Sequence, residues 1–185
     1  ISHTGGQNTV ASMVVFTNGL ADKREYRKFK MRAGGNDDYL HMKEVLTRRF
    51  SARNAKWPRP ELILIDGGKG QLAVAIQVVN ELAEKSKQAL IPIISVAKRD
   101  EEIMISRTGS NIKLDWADQK LKLPPDNEIE IREEGDFIAI NLHKNQTHSH
   151  GHARNLLGET NAEYSDLTKL FQRIRDESHR FAINY

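Results

Sequence analysis

Short runs of β-branched and apolar residues alternate along this chain with segments whose apolar positions recur every three or four residues. That is the pattern of strands interleaved with helices. Thr9–Thr17, rich in valine, predicts a strand. Asn18-Gly19 follows, and Tyr26, Phe29 and Met31 then alternate with Arg and Lys, so the two runs predict an antiparallel hairpin with a long turn. Gly34-Gly35-Asn36 reads as a loop that delivers Asp37 or Asp38 as an N-cap. Tyr39, Met42, Leu46 and Phe50 then trace one side of a first helix.

Glu61-Leu62-Ile63-Leu64-Ile65 is a continuous apolar run, as in a strand covered on both faces, and it ends at Asp66-Gly67-Gly68-Lys69-Gly70. Leu72, Ala75, Ile76, Val79, Leu82 and Ala83 mark a second helix, and Pro92–Val96 a second buried strand. Together they predict a parallel strand–helix–strand crossover. Ile103–Ser106 and Ile112–Leu114 flank Thr108-Gly109-Ser110 and predict a small hairpin. Ile129/Ile131 and Ile138/Ile140 flank Glu134-Gly135-Asp136 and predict another. Lys144–Glu163 reads as a polar loop, and a last helix starts near Ser165 with Leu167, Leu170, Phe171, Ile174 and Phe181 on one side. The expected architecture is α/β: a mixed sheet flanked by helices, in one domain spanning residues 1–185.

The 185 residues include seven histidines and no cysteine, which excludes disulfides and thiolate metal sites and fits a reducing compartment. No apolar run approaches the roughly 20 residues needed to cross a bilayer. The chain begins at Ile1 inside a polar Ser-His-Thr-Gly-Gly stretch, as a piece of a longer polypeptide would. The net charge is only +3, but residues 1–60 hold twelve Lys and Arg against five Asp and Glu, about +7 for that part. An uneven basic face suits a nucleic-acid partner, and equally a solvated surface.

Candidate chemistry gathers at a few positions. Asp66 ends a buried strand, where open α/β sheets place their ligands. It either caps the following helix through the Gly67–Gly70 amides or holds a divalent cation, with the glycines letting a phosphate approach and Lys69 adding charge. The turn lacks the spacing of a nucleotide-binding P-loop, since Gln71 stands where that loop needs Ser or Thr. His179 falls beside the apolar stripe of the last helix, near Arg173 and Arg175. It is either a satisfied structural histidine or a metal ligand. One of Asp37 and Asp38 caps the first helix, which leaves the other free to reach a metal. His148, His150 and His152 alternate in the polar loop, where solvation is the simpler reading.

In chain order, several blocks resemble the nuclease domain of the UvrC family. They are Ile-Ser-His-Thr at the start, Thr9-Val10-Ala11-Ser12 with Val14-Val15-Phe16, Tyr26-Arg27, Asp37-Asp38-Tyr39 and Val45-Leu46-Thr47-Arg48-Arg49. Leu64-Ile65-Asp66-Gly67-Gly68-Lys69-Gly70-Gln71-Leu72, Ala97-Lys98-Arg99 and the terminal Gln172–Ala182 complete the set. The resemblance implies a ribonuclease H-like fold. It also implies a metal-dependent endonuclease that cuts damaged DNA on the 5′ side of a lesion, once a UvrB-like damage-recognition partner has loaded, in the bacterial cytoplasm.

It implies further that Asp66 and His179 hold Mg²⁺ or Mn²⁺ and that Asp38 is an additional acidic site residue. Lys69, Arg48, Arg49, Arg173 and Arg175 then contact DNA. Two departures stand out. The family's first metal-binding Asp directly precedes the Ile-Ser-His-Thr motif and so falls one residue before Ile1, and this chain is accordingly expected to be weakly active or inactive. Residues 115–164, with a hairpin and a loop before the last helix, are longer than the family's usual connection. A non-catalytic DNA- or protein-binding module with the same fold is the rival reading.

Overall fold

The computed structural model describes residues 2–4, 10–31, 37–97, 102–112, 130–141 and 162–183. The chain opens with β1 (Ser2–Thr4), β2 (Val10–Met13) and β5 (Arg27–Lys30), which form an antiparallel sheet in the order β1-β2-β5. Between β2 and β5 the two-residue strands β3 (Phe16–Thr17) and β4 (Leu20–Ala21) close a tight hairpin. Asn18 (φ 52°) and Gly19 (φ 76°) both take the left-handed conformation there, so Asn-Gly makes a compact turn of its own within the longer excursion. The predicted strand Thr9–Thr17 is thus two strands, broken at Val14-Val15, where Asp22 N–H donates to the Val15 carbonyl.

A second, five-stranded sheet runs in the order β6-β7-β8-β10-β9. β6 (Ile63–Asp66) and β7 (Ile93–Val96) are parallel, with Asp66 paired to Val96, and helix α2 (Lys69–Ser86) connects them as the apolar pattern predicts. β8 (Ile103–Ser106) is antiparallel to both neighbours, β7 and β10 (Phe137–Asn141). Among the described residues Ile112 makes no ladder with β8, and residues 113–114 of that expected strand lie outside them. The Ser106–Ser110 loop closes on its own side chains: Ser106 N–H donates to Ser110 Oγ and Gly109 N–H to Ser106 Oγ, both at 2.9 Å. Ser110 then gives its carbonyl to Ile93 N–H, and β8 pairs with β10 instead. β9 (Glu130–Glu134) and β10 make the hairpin foreseen around Gly135 and Asp136, and β10 seats it in the large sheet.

Strand alternation sorts the large sheet into two covered faces. Ile63, Ile65, Ile93, Met104 and Ala139 lie against α2 and α1 (Asp38–Arg49). Leu64, Ile94, Ile103 and Ile105 lie on the other face with Phe171 of α3 (Ala162–Ile183), a helix that begins three residues before the predicted Ser165. Both outer helices also touch the small sheet: Val45 of α1 packs with Ala11, Met13 and Phe29, and Phe181 of α3 meets Tyr26 edge-on at 5.1 Å. Asp66 has the parity of Leu64, so its side chain is aimed at α3. Among the described residues no helix is long and apolar enough to cross a membrane. His148, His150, His152, the Ala97-Lys98-Arg99 block beyond Ala97, and most of 115–164 lie outside the described residues.

Candidate active site

Asp66 and His179 meet across the gap between β6 and α3. The His179 Nε2 lies 2.8 Å from Asp66 Oδ2, with the carboxylate side chain only 6 % exposed and the imidazole 30 %. The separation is that of a hydrogen bond, but the alignment is not, and both carboxylate oxygens are buried with no hydrogen-bond partner. A buried carboxylate without donors carries a large desolvation cost. The glycine turn does not relieve it, so the capping role weighed for Asp66 is not the one it plays: Gly67 N–H donates to the Val96 carbonyl, and Gly68 N–H is taken by Gln71 Oε1 at 3.1 Å. A small cleft opens beside the pair, lined by Asp66, Val96, Ile174, Arg175 and Ser178.

The fit to a hard divalent cation rests on this chemistry: one orphaned anionic oxygen pair and one imidazole nitrogen converge on a single spot. The set is partial. Among the described residues no three His, Asp or Glu side chains come together closely enough to hold a metal ion. Asp38 is therefore not gathered with Asp66 and His179. Its neighbour Asp37 takes the N-cap, accepting from Tyr39 N–H at 2.9 Å and Leu40 N–H at 3.1 Å, and Asp38 is the first residue of α1.

The first turn of α1 nonetheless abuts the site from the α2 side. The ring of Tyr39 lies across Gly70, so closely that a Cβ there would overlap its hydroxyl. Gly70 thus accommodates an aromatic ring, where the sequence suggested space for a phosphate. Lys69 is also committed within the protein: its ammonium pairs with Glu134 of β9. Glu134 in turn flanks Arg132, whose guanidinium binds the buried Glu102 at 2.7 Å. Arg132 and Glu134 share a strand face by simple alternation, a signal the sequence carried; nothing in it linked that face to Lys69.

The arginines divide into two kinds. Arg49 is buried at 7 % exposure, donates to the Pro58 carbonyl and stacks between Phe50 and Trp57, and its burial lowers its pKa. Arg48 donates to the Lys30 carbonyl at 2.7 Å and to Glu44 at 3.0 Å, and lies over Phe29. Arg48 ties α1 to β5 of the small sheet, and Arg49 ties it to the segment at Trp57 and Pro58. Arg173 is exposed on α3, and Arg175 borders the cleft beside Asp66 with Asp176 at 3.4 Å.

Residues 1–140 match the model of the UvrC RNase H endonuclease domain. Across 187 aligned residues, covering all of the chain, it is 46 % identical to the UvrABC system protein C of Methanospirillum hungatei and spans 26 % of that relative. The protein of the same name from Prosthecochloris aestuarii is 41 % identical over all of the chain, which spans 22 % of it. That of Chlorobium phaeobacteroides is 41 % identical over 77 % of the chain and 22 % of its own length. The chain thus spans about a quarter of these curated relatives. Two of the alignments run through α3, so the helix carrying His179 belongs to the shared sequence although the family model stops at residue 140. With 140 of 185 residues matched in order and a mixed α/β sheet that places Asp66 under α3, the chain belongs to the UvrC ribonuclease H endonuclease domain family.

Proposed function

We propose that this chain is the core of a divalent-cation-dependent DNA endonuclease that cuts damaged duplex on the 5′ side of a lesion in nucleotide excision repair. The observation that carries the reading is the buried, unsatisfied Asp66 carboxylate against His179, with a small cleft beside the pair. Mg²⁺ or Mn²⁺ held by these two side chains would supply Lewis acidity toward a phosphate and a lowered pKa for bound water. Arg175 at the cleft and Arg173 on the open side of α3 draw the sugar–phosphate backbone in and fix its path past Asp66. Lys69 joins them when a phosphate replaces Glu134 as its partner. Asp38 supports the site from the first turn of α1, whose Tyr39 touches Gly70. The five basic residues of the sequence expectation thus reduce to three for DNA, with Arg48 and Arg49 holding the scaffold. Residues 1–185 act as one domain, with 115–164 as a segment of it. A UvrB-like partner, engaged through other parts of a full-length protein, delivers the substrate, and the setting is cytoplasmic.

The test is nicking of a lesion-bearing duplex preloaded with UvrB, in Mn²⁺ and in Mg²⁺, by this chain and by a form carrying Asp immediately before Ile1. The expected result is metal-dependent nicking by the second form, lost in Asp66→Ala and His179→Ala, with little or none by the first. DNA binding without nicking by either form would reject the endonuclease. One observation favours that alternative, a non-catalytic DNA- or protein-binding module: among the described residues the cation-binding set stops at two.

A further inference from the structure

Helix α3 is held to the small sheet by two kinds of contact with different consequences for His179. Phe181 against Tyr26, and Ala182 in the core, are apolar contacts. Such contacts are non-directional, and tolerate small slides and rotations of a helix. Of the directional contacts, one is fully buried. Ser12 occupies a fully buried position of β2, a strand whose four residues are all buried, where an apolar side chain would be the ordinary choice. Its hydroxyl donates to the carbonyl of Ser178 at 2.9 Å and lies 3.2 Å from Ser178 Oγ. Ser178 is itself 2 % exposed, and the next residue is His179.

A hydroxyl buried at a strand–helix interface is worth its desolvation only where its partner is fixed. Here the partner is a backbone carbonyl one residue before the imidazole, so the bond constrains both the rotation and the axial position of α3 at that point. Sliding a helix by one residue moves it about 1.5 Å along its axis, enough to open the Asp66–His179 pair. We propose that Ser12, with Ser178 as its counterpart, is a positioning residue for His179: it sets the register of α3 on β2 and thereby holds the imidazole over Asp66. The proposal rests on the reading of Asp66 and His179 as one site.

The test uses nuclear magnetic resonance of the histidine ring nitrogens on this chain, with Ser12→Ala, Ser12→Thr and Asp66→Asn beside the unaltered protein. Asp66→Asn calibrates the His179 signals, since it removes the facing carboxylate. Ser12→Ala is expected to shift those signals toward the Asp66→Asn values, while the Tyr26 and Phe181 ring signals stay in place and report a helix still docked. Ser12→Thr, which keeps the hydroxyl, is expected to restore them. Mn²⁺ affinity, read by paramagnetic resonance, should fall about tenfold or more in Ser12→Ala, the usual scale for loss of a group that orients a ligand.

His179 signals unchanged in Ser12→Ala but moved in Asp66→Asn would overturn the proposal and leave the site standing. Signals unmoved in Asp66→Asn would overturn the pairing itself, and with it this proposal. Mn²⁺ that broadens no His179 signal in the unaltered chain would count against the cation reading alone. Should Ser12→Ala not fold, Ser12→Cys, which fills the space with a weak donor, carries the same comparison.

Discussion

The ring of Tyr39 occupies the space that a side chain at residue 70 would need. This contact joins the first turn of α1 to the first turn of α2, three residues after the turn's Gly67. Gly70→Ala is expected to destabilise the domain by about 1–3 kcal/mol through overpacking. In a Tyr39→Ala background the same change should instead be neutral or stabilising by up to about 1 kcal/mol, because alanine is the better helix former. Denaturant midpoints of the four proteins in a double-mutant cycle check the sign reversal. A Gly70→Ala cost that persists without the Tyr39 ring would show that the backbone there needs glycine for another reason.

Asp66 sets function against stability. A neutral isostere at this site removes a buried charge that has no donor, so metal-free Asp66→Asn is expected to be more stable by about 1–2 kcal/mol. That corresponds to a rise in melting temperature of ~2–8 °C for a domain of this size. In the form carrying Asp immediately before Ile1, the same substitution should abolish nicking of the lesion duplex. Calorimetry without and with Mn²⁺ checks the stability half, since added Mn²⁺ should stabilise the unaltered chain and not the variant.

Arg49 and Arg173 should respond in opposite ways. Arg49→Ala is expected to cost about 2–3 kcal/mol of stability, through loss of a buried, stacked guanidinium, with DNA affinity unchanged once the protein is folded. Arg173→Ala should leave stability alone, weaken binding across all sequences and lower the salt slope by about one. Glu134→Gln, by releasing Lys69, should tighten DNA. Fluorescence anisotropy across a salt series separates the three.

Tyr26 gives the domain an alkaline limit. Burial, reinforced by the nearby Glu177 carboxylate, pushes its phenol up to about 12. The folded state therefore keeps a proton that the unfolded chain releases near pH 10. The resulting stability is full below that pH and is lost as pH rises toward 12. Tyr26→Phe should flatten thermal unfolding between pH 9.5 and 12, roughly the interval between the two pKa values. A loss of equal steepness in the variant would assign the alkaline limit to another group.

The residues of the site were legible wherever they depended on local pattern. The apolar run ending at Asp66 announced a buried strand with a carboxylate at its tip, and helical spacing placed His179 beside an apolar stripe. Their meeting was legible only through the family resemblance, because it depends on α3 packing against β6, which no local periodicity encodes. For the same reason β8 was assigned the wrong partner: Ile112 is close in sequence, whereas Ile105 pairs with Ile138. The glycine turn misled in a different way. Glycine reports that something approaches closely, but not whether it is a phosphate or, as at Gly70, a tyrosine ring.

Among the described residues the two sheets share no hydrogen-bonded ladder; α1 and α3 join them by side-chain packing. Asp66 belongs to the large sheet, whereas His179 rides on a helix pinned to the small one. Their separation is consequently a measure of how firmly α3 is seated between the two sheets. Packing of this kind loosens at lower denaturant and temperature than the ladders themselves. The Asp66–His179 pair is therefore expected to open before the ladders of either sheet melt.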